Sequence, residues 1–398
     1  MVMSRRLLIL TLYYPPDLSA GSFRAASLVQ ALREQAPGLA IDVLTGMPSR
    51  YQSFTTPAAA QHRDERLTIR RLPMPAHRGD MRTQAWSYSR FAWHAARAAS
   101  EHQYDLILAT SSRLMTATLG AWVSRRSGTP LYLDIRDLFA DTMNDVLSPR
   151  VAPLVRPLLS SLERWTMRRA TRANLVSPGF APYFDQRYPG LPQSLFTNGI
   201  DDDFLPPHPA RPPVTGDRPI TIVYAGNFGE GQGLHLIIPA LAARLGRRAQ
   251  FRLIGDGSRR AALMEGLAAR KISNVDVLPP MSRADLVAQY HAADVLFLHL
   301  NDYDAFTRVL PSKVFEYAAV GTPILAGVGG FAADFFRAEV SNAAVFAPCD
   351  VEAALRALDT LSLPGTPRDT FVAKYARRDI MRRMASEITG LFPSEPGR

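Results

Sequence analysis

The sequence predicts an α/β protein of two doubly wound domains, each a largely parallel sheet with helices on both faces. Three observations predict it. The 398 residues are enough to build a core in each of two domains. Short, mainly apolar runs recur along the chain and alternate with helical patterns of about ten residues, as βαβ units require. Between two such series lies Phe204-Leu-Pro-Pro-His-Pro-Ala-Arg-Pro-Pro213, too rich in proline for helix or strand and so a stiff connection. The expected organisation is a first domain over 1–203, a linker over 204–218, a second domain over 219–370 and a C-terminal helix over 371–398.

The first apolar run, 7–12, follows two arginines and stops at Tyr13-Tyr14-Pro15-Pro16. It superficially resembles a signal peptide, but it is short and lacks a small-residue cleavage site, so it reads as a buried strand. Further strands are expected at 41–44, 106–109, 131–134 and 174–176, with helices at 22–35, 82–101, 114–126 and 151–170. The second series is cleaner: strands at 220–225, 251–254, 275–278, 295–300 and 323–326, and helices at 233–245, 259–271, 283–291 and 313–320. A last helix, 371–392, could fold back over the first domain.

Composition narrows the setting. Apolar residues make up 47% and charged residues 21%, as in an ordinary globular protein, and the lone cysteine, Cys349, excludes a disulfide framework or a Cys-rich zinc site. No run reaches the roughly 18 apolar residues of a membrane span. The net charge of +10 is one-sided: residues 1–200 hold 24 arginines against 14 acidic residues, and the remainder is balanced. A polyanion near the first half is implied: anionic lipid, a phosphorylated substrate or nucleic acid. No nucleic-acid-binding motif accompanies the charge. In residues 82–97, Trp86, Arg90, Trp93 and Arg97 recur at helical spacing. Such a stripe either lies in a lipid headgroup layer or packs into the core.

Ligands of doubly wound sheets bind beyond the carboxyl ends of the strands, so the strand–helix turns carry the chemistry. Tyr224-Ala-Gly-Asn-Phe-Gly-Glu-Gly-Gln-Gly233 supplies four glycines at the mouth of a helix, where backbone N–H groups can approach an anion. Gly255-Asp-Gly257 and Pro279-Pro-Met-Ser282 follow the next two strands. In the first domain, Tyr14–Arg24 follows strand one, with Gly21 at a helix mouth. After the fourth strand of the second series comes Arg308-Val-Leu-Pro-Ser-Lys-Val-Phe-Glu-Tyr-Ala-Ala-Val-Gly-Thr-Pro323. Ser312 is placed to cap its helix and Gly321 to end it. Glu316 is four residues after the cap, one too many for a capping box, so its carboxylate is free for other work. There is no G-x-G-x-x-G fingerprint, no Walker A lysine, no G-x-S-x-G elbow and no metal-ligand spacing among the eight histidines.

Tyr224-Ala-Gly-Asn, Gln232-Gly-Leu234, Ile254-Gly-Asp-Gly257, Ala292-Ala-Asp-Val-Leu296 and Pro311–Ile324 together resemble the donor domain of retaining GT-B glycosyltransferases of family 4. The likeness is strongest to bacterial cell-surface polysaccharide members, of O-antigen type, that act on lipid-linked sugars. Leu12–Asp17 with Gly21 and Arg24 is similar to the family's first-domain loop, and Asp134-Ile-Arg-Asp-Leu138 to the stretch facing the acceptor. The resemblance implies a GT-B fold, two Rossmann-like domains facing a central cleft. It implies transfer of a sugar from a nucleotide-sugar, UDP-linked by family default, to a lipid-linked saccharide, without cofactor or metal and without nucleic acid. It also implies a cytoplasmic protein, peripheral on an anionic inner membrane face. Glu316 would hold the nucleotide ribose hydroxyls and, with Arg308, Lys313 and Asp137, make up the catalytic set. Gly21, Arg24, Gly226, Asn227, Gln232, Gly255, Asp256, Gly257, Pro311 and Ser312 would bind the donor.

Two departures stand out. Arg308 occupies a position where the family commonly has glutamate, and Asn227 and Gln232 stand where it commonly has an arginine and a lysine around the diphosphate. Arg308 and Lys313 would then replace the missing cations from the opposite wall. Two other readings of the fold are a nucleotide-sugar 2-epimerase and a non-catalytic sugar-nucleotide-binding partner.

Overall fold

A computed structural model describes residues 5–48, 57–74, 81–111, 114–138, 152–205, 218–363 and 365–392. The chain forms two units, Met1–Asn198 with Arg377–Arg398, and Gly199–Ala376.

The first unit is built on strands β1 (Arg6–Leu10), β2 (Ala40–Gly46), β3 (Gln61–Arg63), β4 (Leu67–Leu72), β5 (Leu106–Thr110), β6 (Leu131–Ile135), β7 (Arg172–Leu175) and β8 (Gln193–Ser194). Their order is β3-β4-β2-β1-β5-β6-β7-β8, parallel throughout except for the antiparallel edge pair β3–β4. The central strands are mainly apolar and buried at nearly every position, as strands covered by helices on both faces are. The helix Ala20–Gln35 starts where Ser19 Oγ accepts the Ser22 N–H. It packs Leu28, Val29 and Leu32 against Leu7 and Ile9 of β1.

The second unit carries β9 (Ile220–Asn227), β10 (Ala249–Asp256), β11 (Val275–Leu278), β12 (Val295–His299), β13 (Ile324–Gly327) and β14 (Ala343–Phe346) in the all-parallel order β11-β10-β9-β12-β13-β14. One layer of core lies around Leu296, Phe315, Phe336 and Phe371, the other around Ile237, Leu241, Phe251 and Phe297.

Every strand expected from the apolar runs is present, within about two residues at its ends. The sequence reading passed over β3, β4, β8 and β14, and the helices Ala181–Arg187, Gly330–Glu339 and Val351–Leu358. The reason is local. β3 is three exposed residues, β4 has only two buried positions and is interrupted by Arg70-Arg71, and β14 is a short, alanine-rich strand with only alternate residues buried.

The junctions also differ from those expected. The chain passes to the second unit at Asn198–Gly199, because Ile200 and Phe204 are already in that unit's core, Phe204 stacking 5.9 Å from Tyr290. Residues 206–217 of the expected linker lie outside the described residues. The single terminal helix is two helices, Asp369–Tyr375 and Arg377–Thr389, separated by Ala376 in a non-helical conformation and a β-bridge from Ala376 to Ile200. The break serves two cores. Phe371 packs with Phe315 in the second unit, whereas Ile380, Met381, Met384 and Ile388 pack in the first.

Two polar ties hold the first unit together. Glu387 of the last helix accepts hydrogen bonds from Tyr132 (2.9 Å), Ser194 (2.5 Å) and Arg172 (2.9 Å). Arg24, only 1% exposed, donates to both Asp134 carboxylate oxygens (2.9 and 3.0 Å) and to the carbonyls of Thr197 and Phe196 (2.6 and 2.8 Å). Burial pushes the Asp134 carboxyl pKa up; the Arg24 charge and hydrogen bonds outweigh it and hold the group below the usual range. Arg24→Met strands that carboxylate without its cation, so it is expected to cost the first unit about 3–5 kcal/mol. Urea unfolding monitored on this unit checks it.

Candidate functional site

The site expected in the second unit sits at the carboxyl ends of β9, β10 and β12. Gly226 at the end of β9 pairs in register with Gly255 at the end of β10, and Asn227 with Asp256. Both glycines have positive φ, 150° and 147°. A side chain at 255 would run into the Gly226 carbonyl, and one at 226 would come within 2.5 Å of the Lys313 Cε. The absence of a Cβ is what lets the lysine methylenes lie across the strand end.

Lys313 opens the helix Lys313–Val320. Ser312 precedes it in a helical conformation without a side-chain capping bond, and Gly321 ends it with φ 79°. Partner bonds inside the core fix the helix. Tyr317 Oη accepts the Ala225 N–H (3.2 Å), and Tyr290 Oη donates to Glu316 Oε2 (3.4 Å). Glu316 is 9% exposed, and Lys313 Nζ lies 4.0 Å from its Oε2. Burial lowers the Lys313 pKa; Glu316 opposes that shift, and Arg283 adds to it. At the far end, Arg368 donates to the carbonyls of Ala318 and Thr322 at the helix terminus and to those of Ser341 and Asn342. Burial without a carboxylate partner brings its pKa down to about 10.

The glycine-rich turn is pinned rather than loose. Asn227 Nδ2 and the Gly229 N–H both donate to Gln232 Oε1 (3.0 and 3.3 Å), so two residues expected at the diphosphate hold each other. The Glu230 carboxylate accepts from Tyr303 Oη (2.8 Å) and from Arg259, and its carbonyl accepts from Asn301 Nδ2 (3.0 Å). Asp256 Oδ1 accepts the Gly257 N–H (2.8 Å). Beneath the turn lies His299, which the sequence reading passed over as one scattered histidine. Its Nδ1–H donates to the Gln232 carbonyl (2.7 Å), and its Nε2 accepts the Cys349 N–H (2.9 Å). Its ring stacks near Phe297 and Phe346.

Gly226, Gly255, Asn227, Gln232, Lys313 and Glu316 are therefore brought together, with Asp256, Gly257, Pro311 and Ser312 beside them in the chain. Other expected site residues are placed differently. Arg308 ends the 3-10 turn Asp304–Arg308 and pairs there with Asp304 (3.2 Å). In the first unit, Gly21 is the second residue of the helix Ala20–Gln35, and Asp137 is exposed beyond the end of β6. Arg24, read as a donor-binding residue, has its guanidinium engaged inside the unit, as described above. Among the described residues no group of three or more His, Cys, Asp or Glu could hold a metal ion.

The tryptophan stripe is exposed, Trp86 by 55% and Trp93 by 59%. Arg90 and Arg97 lie over the two indole rings at 5.5 and 5.9 Å. The helix Leu114–Ser127 repeats the arrangement with Trp122 and Arg126 at 5.6 Å. Among the described residues no helix is long and apolar enough to cross a membrane.

Two doubly wound units with glycine-lined strand ends define the GT-B fold, and solved structures of that class superpose over nearly the whole chain. The sucrose-phosphate synthase of Thermosynechococcus elongatus is 15% identical, with a TM-score of 0.72 over 98% of this chain and 99% of that one. Anabaena HepE in complex with UDP and glucose is 15% identical, with a TM-score of 0.65 over 98% of this chain and 100% of that one. WaaG, a glycosyltransferase involved in lipopolysaccharide biosynthesis, is 15% identical, with a TM-score of 0.62 over 96% and 95%. No curated protein matches by sequence. Residues 21–194 match the glycosyl transferase 4-like domain, and residues 211–378 match glycosyl transferases group 1. The chain is a glycosyltransferase built of these two domains.

Burial lowers the His299 pKa from 6.5 to about 4, so the fold favours the neutral ring. Its contribution to stability is expected to be complete above pH 6.5 and to be lost as pH falls from 6.5 towards 4. Comparing urea midpoints of the wild type and His299→Asn across that window checks this: the wild type should fall more steeply.

Proposed function

We propose that the protein transfers a sugar, with retention, from a UDP-type nucleotide-sugar to a lipid-linked saccharide in cell-surface polysaccharide or lipopolysaccharide biosynthesis. The observation that carries the donor half is the Gly226–Lys313–Glu316 arrangement. An ionised carboxylate accepts two hydrogen bonds, which suits the vicinal hydroxyls of a ribose. A cation held against bare backbone at a strand end suits a diphosphate, whose negative charge grows as the sugar leaves. Arg308 would approach the sugar-phosphate from its own turn, in exchange with Asp304. Asp137 would face the acceptor. The HepE structures with UDP, glucose or UDP-glucose and the lipopolysaccharide role of WaaG fit this reading. No resident cofactor or metal is part of it.

The exposed tryptophan–arginine pairs support the acceptor half. Indole rings paired with arginines suit a headgroup layer, and each basic residue near an anionic surface contributes about 1 kcal/mol. A protein working from the cytoplasmic face of a membrane reaches a lipid-anchored substrate in this way.

Glu316→Gln keeps the shape but loses the charge, and UDP affinity measured by calorimetry should fall tenfold or more, since hydrogen bonds to charged groups contribute roughly 1.5–3 kcal/mol. Unchanged affinity removes the ribose assignment. Lys313→Ala should cut kcat by roughly 10²-fold while changing donor KM much less, if the lysine meets leaving-group charge. Pelleting with liposomes should require acidic lipid, weaken with salt, and drop in a Trp86→Ser, Trp93→Ser double variant. Binding indifferent to all three removes the membrane assignment.

A further inference from the structure

Arg136 follows the last residue of β6, at the carboxyl edge of the first unit's sheet. Its backbone N–H donates to Ser111 Oγ (2.9 Å), at the end of β5. Among the described residues its Nη2 reaches only the neutral amide of Asn198, at 3.4 Å. Its Nη1 is buried with no hydrogen-bond partner, and among the described residues no ion pair joins it to a carboxylate. The nearby Asp134 is fully engaged by Arg24 and by Asn174 Nδ2 (2.7 Å). Asp134 attracts Arg136 without a hydrogen bond, Arg24 repels it, and Asp137 adds a weaker attraction. Arg24 and Arg136 thus differ within one small region: one guanidinium is hydrogen-bonded to a carboxylate, and the other feels carboxylates only through space.

A guanidinium stays protonated at any physiological pH, so a buried N–H of one with no hydrogen-bonded anion is a cost to the folded state. Such a cost at a strand end, where doubly wound sheets take their ligands, is what a site awaiting an anion shows. We infer that Arg136 is a phosphate-binding residue of the first unit, whose Nη1 receives a phosphoryl oxygen of a substrate. Arg136 as a whole keeps partial exposure at that edge. Ser111 and Asn198 position it: Ser111 fixes the backbone and Asn198 steers the planar fork. The shared chemistry is a phosphate ester, from either the lipid-linked acceptor or the nucleotide donor. The inference rests on the reading of the protein as a transferase between phosphate-bearing substrates.

The test uses the full chain, as wild type, Arg136→Gln and Arg136→Lys. Two probes are titrated by calorimetry: farnesyl diphosphate for an isoprenoid phosphate, and UDP for the donor. Arg136→Gln should weaken one of them tenfold or more, and Arg136→Lys should recover part of the loss. Loss confined to farnesyl diphosphate assigns the acceptor; loss confined to UDP assigns the donor. Thermal unfolding without ligand separates a receptor from a structural tie. Removing a buried cation that has no hydrogen-bonded anion should leave the melting temperature equal or higher, whereas removing a structural arginine lowers it. Unchanged affinity for both probes, or a lowered melting temperature in both variants, overturns the proposal. A wild type that binds farnesyl diphosphate but neither binds UDP nor transfers sugar would overturn the donor reading and leave Arg136 assigned.

Discussion

The second unit depends on one close approach, that of β9 to β10 at Gly226 and Gly255. Parallel strands ordinarily end with side chains standing over the last carbonyls. Here two glycines with positive φ clear that space, and Lys313 from a helix some 90 positions later in the chain fills it. The lysine then stands 4.0 Å from Glu316, one turn further along the same helix. Tyr317 and Tyr290 anchor that helix from below, one through the Ala225 backbone and the other through the Glu316 carboxylate. A Cβ at either glycine would displace the strand ends or the lysine, which among the described residues is the only ion-pair partner of Glu316.

The chain uses arginine almost to the exclusion of lysine, with three lysines among its 46 basic residues. The structure sorts those arginines by what answers their charge. Arg24 meets a carboxylate and two carbonyls; Arg368 meets carbonyls alone and ties off a helix end. Arg90, Arg97 and Arg126 lie over exposed indoles. A planar fork with five donors suits each of these roles, which a compact ammonium would not. Lys313 is the exception, and it sits where a point charge on a flexible stem is wanted over bare backbone.

The strand series, the glycine turns and the helix carrying Lys313 and Glu316 were legible in the sequence, because each is local. A run of apolar residues fixes a buried strand, and a glycine or proline fixes where it stops. The single terminal helix was misread for the same reason: helical periodicity continues through Ala376, and nothing nearby signals that Phe371 and Met384 belong to different cores. β4 went unseen because only Leu67 and Ile69 of it are buried and Arg70-Arg71 interrupts its apolar pattern.

The sequence by itself determined that this is a two-unit α/β chain with glycine-lined strand ends, and which helix bears its charged pair. Only the tertiary structure decided what each polar side chain does there. Arg24 and Arg136 look alike in the sequence, yet one finds Asp134 from 110 residues away and the other finds only an amide. His299 looked idle until Gln232 and Cys349 were seen to share its ring, and the tryptophan stripe fitted core or surface equally. The physical reason is that hydrophobic period is written in neighbouring residues, whereas the satisfaction of a donor or a charge is settled by partners that only folding brings within 3 Å or so.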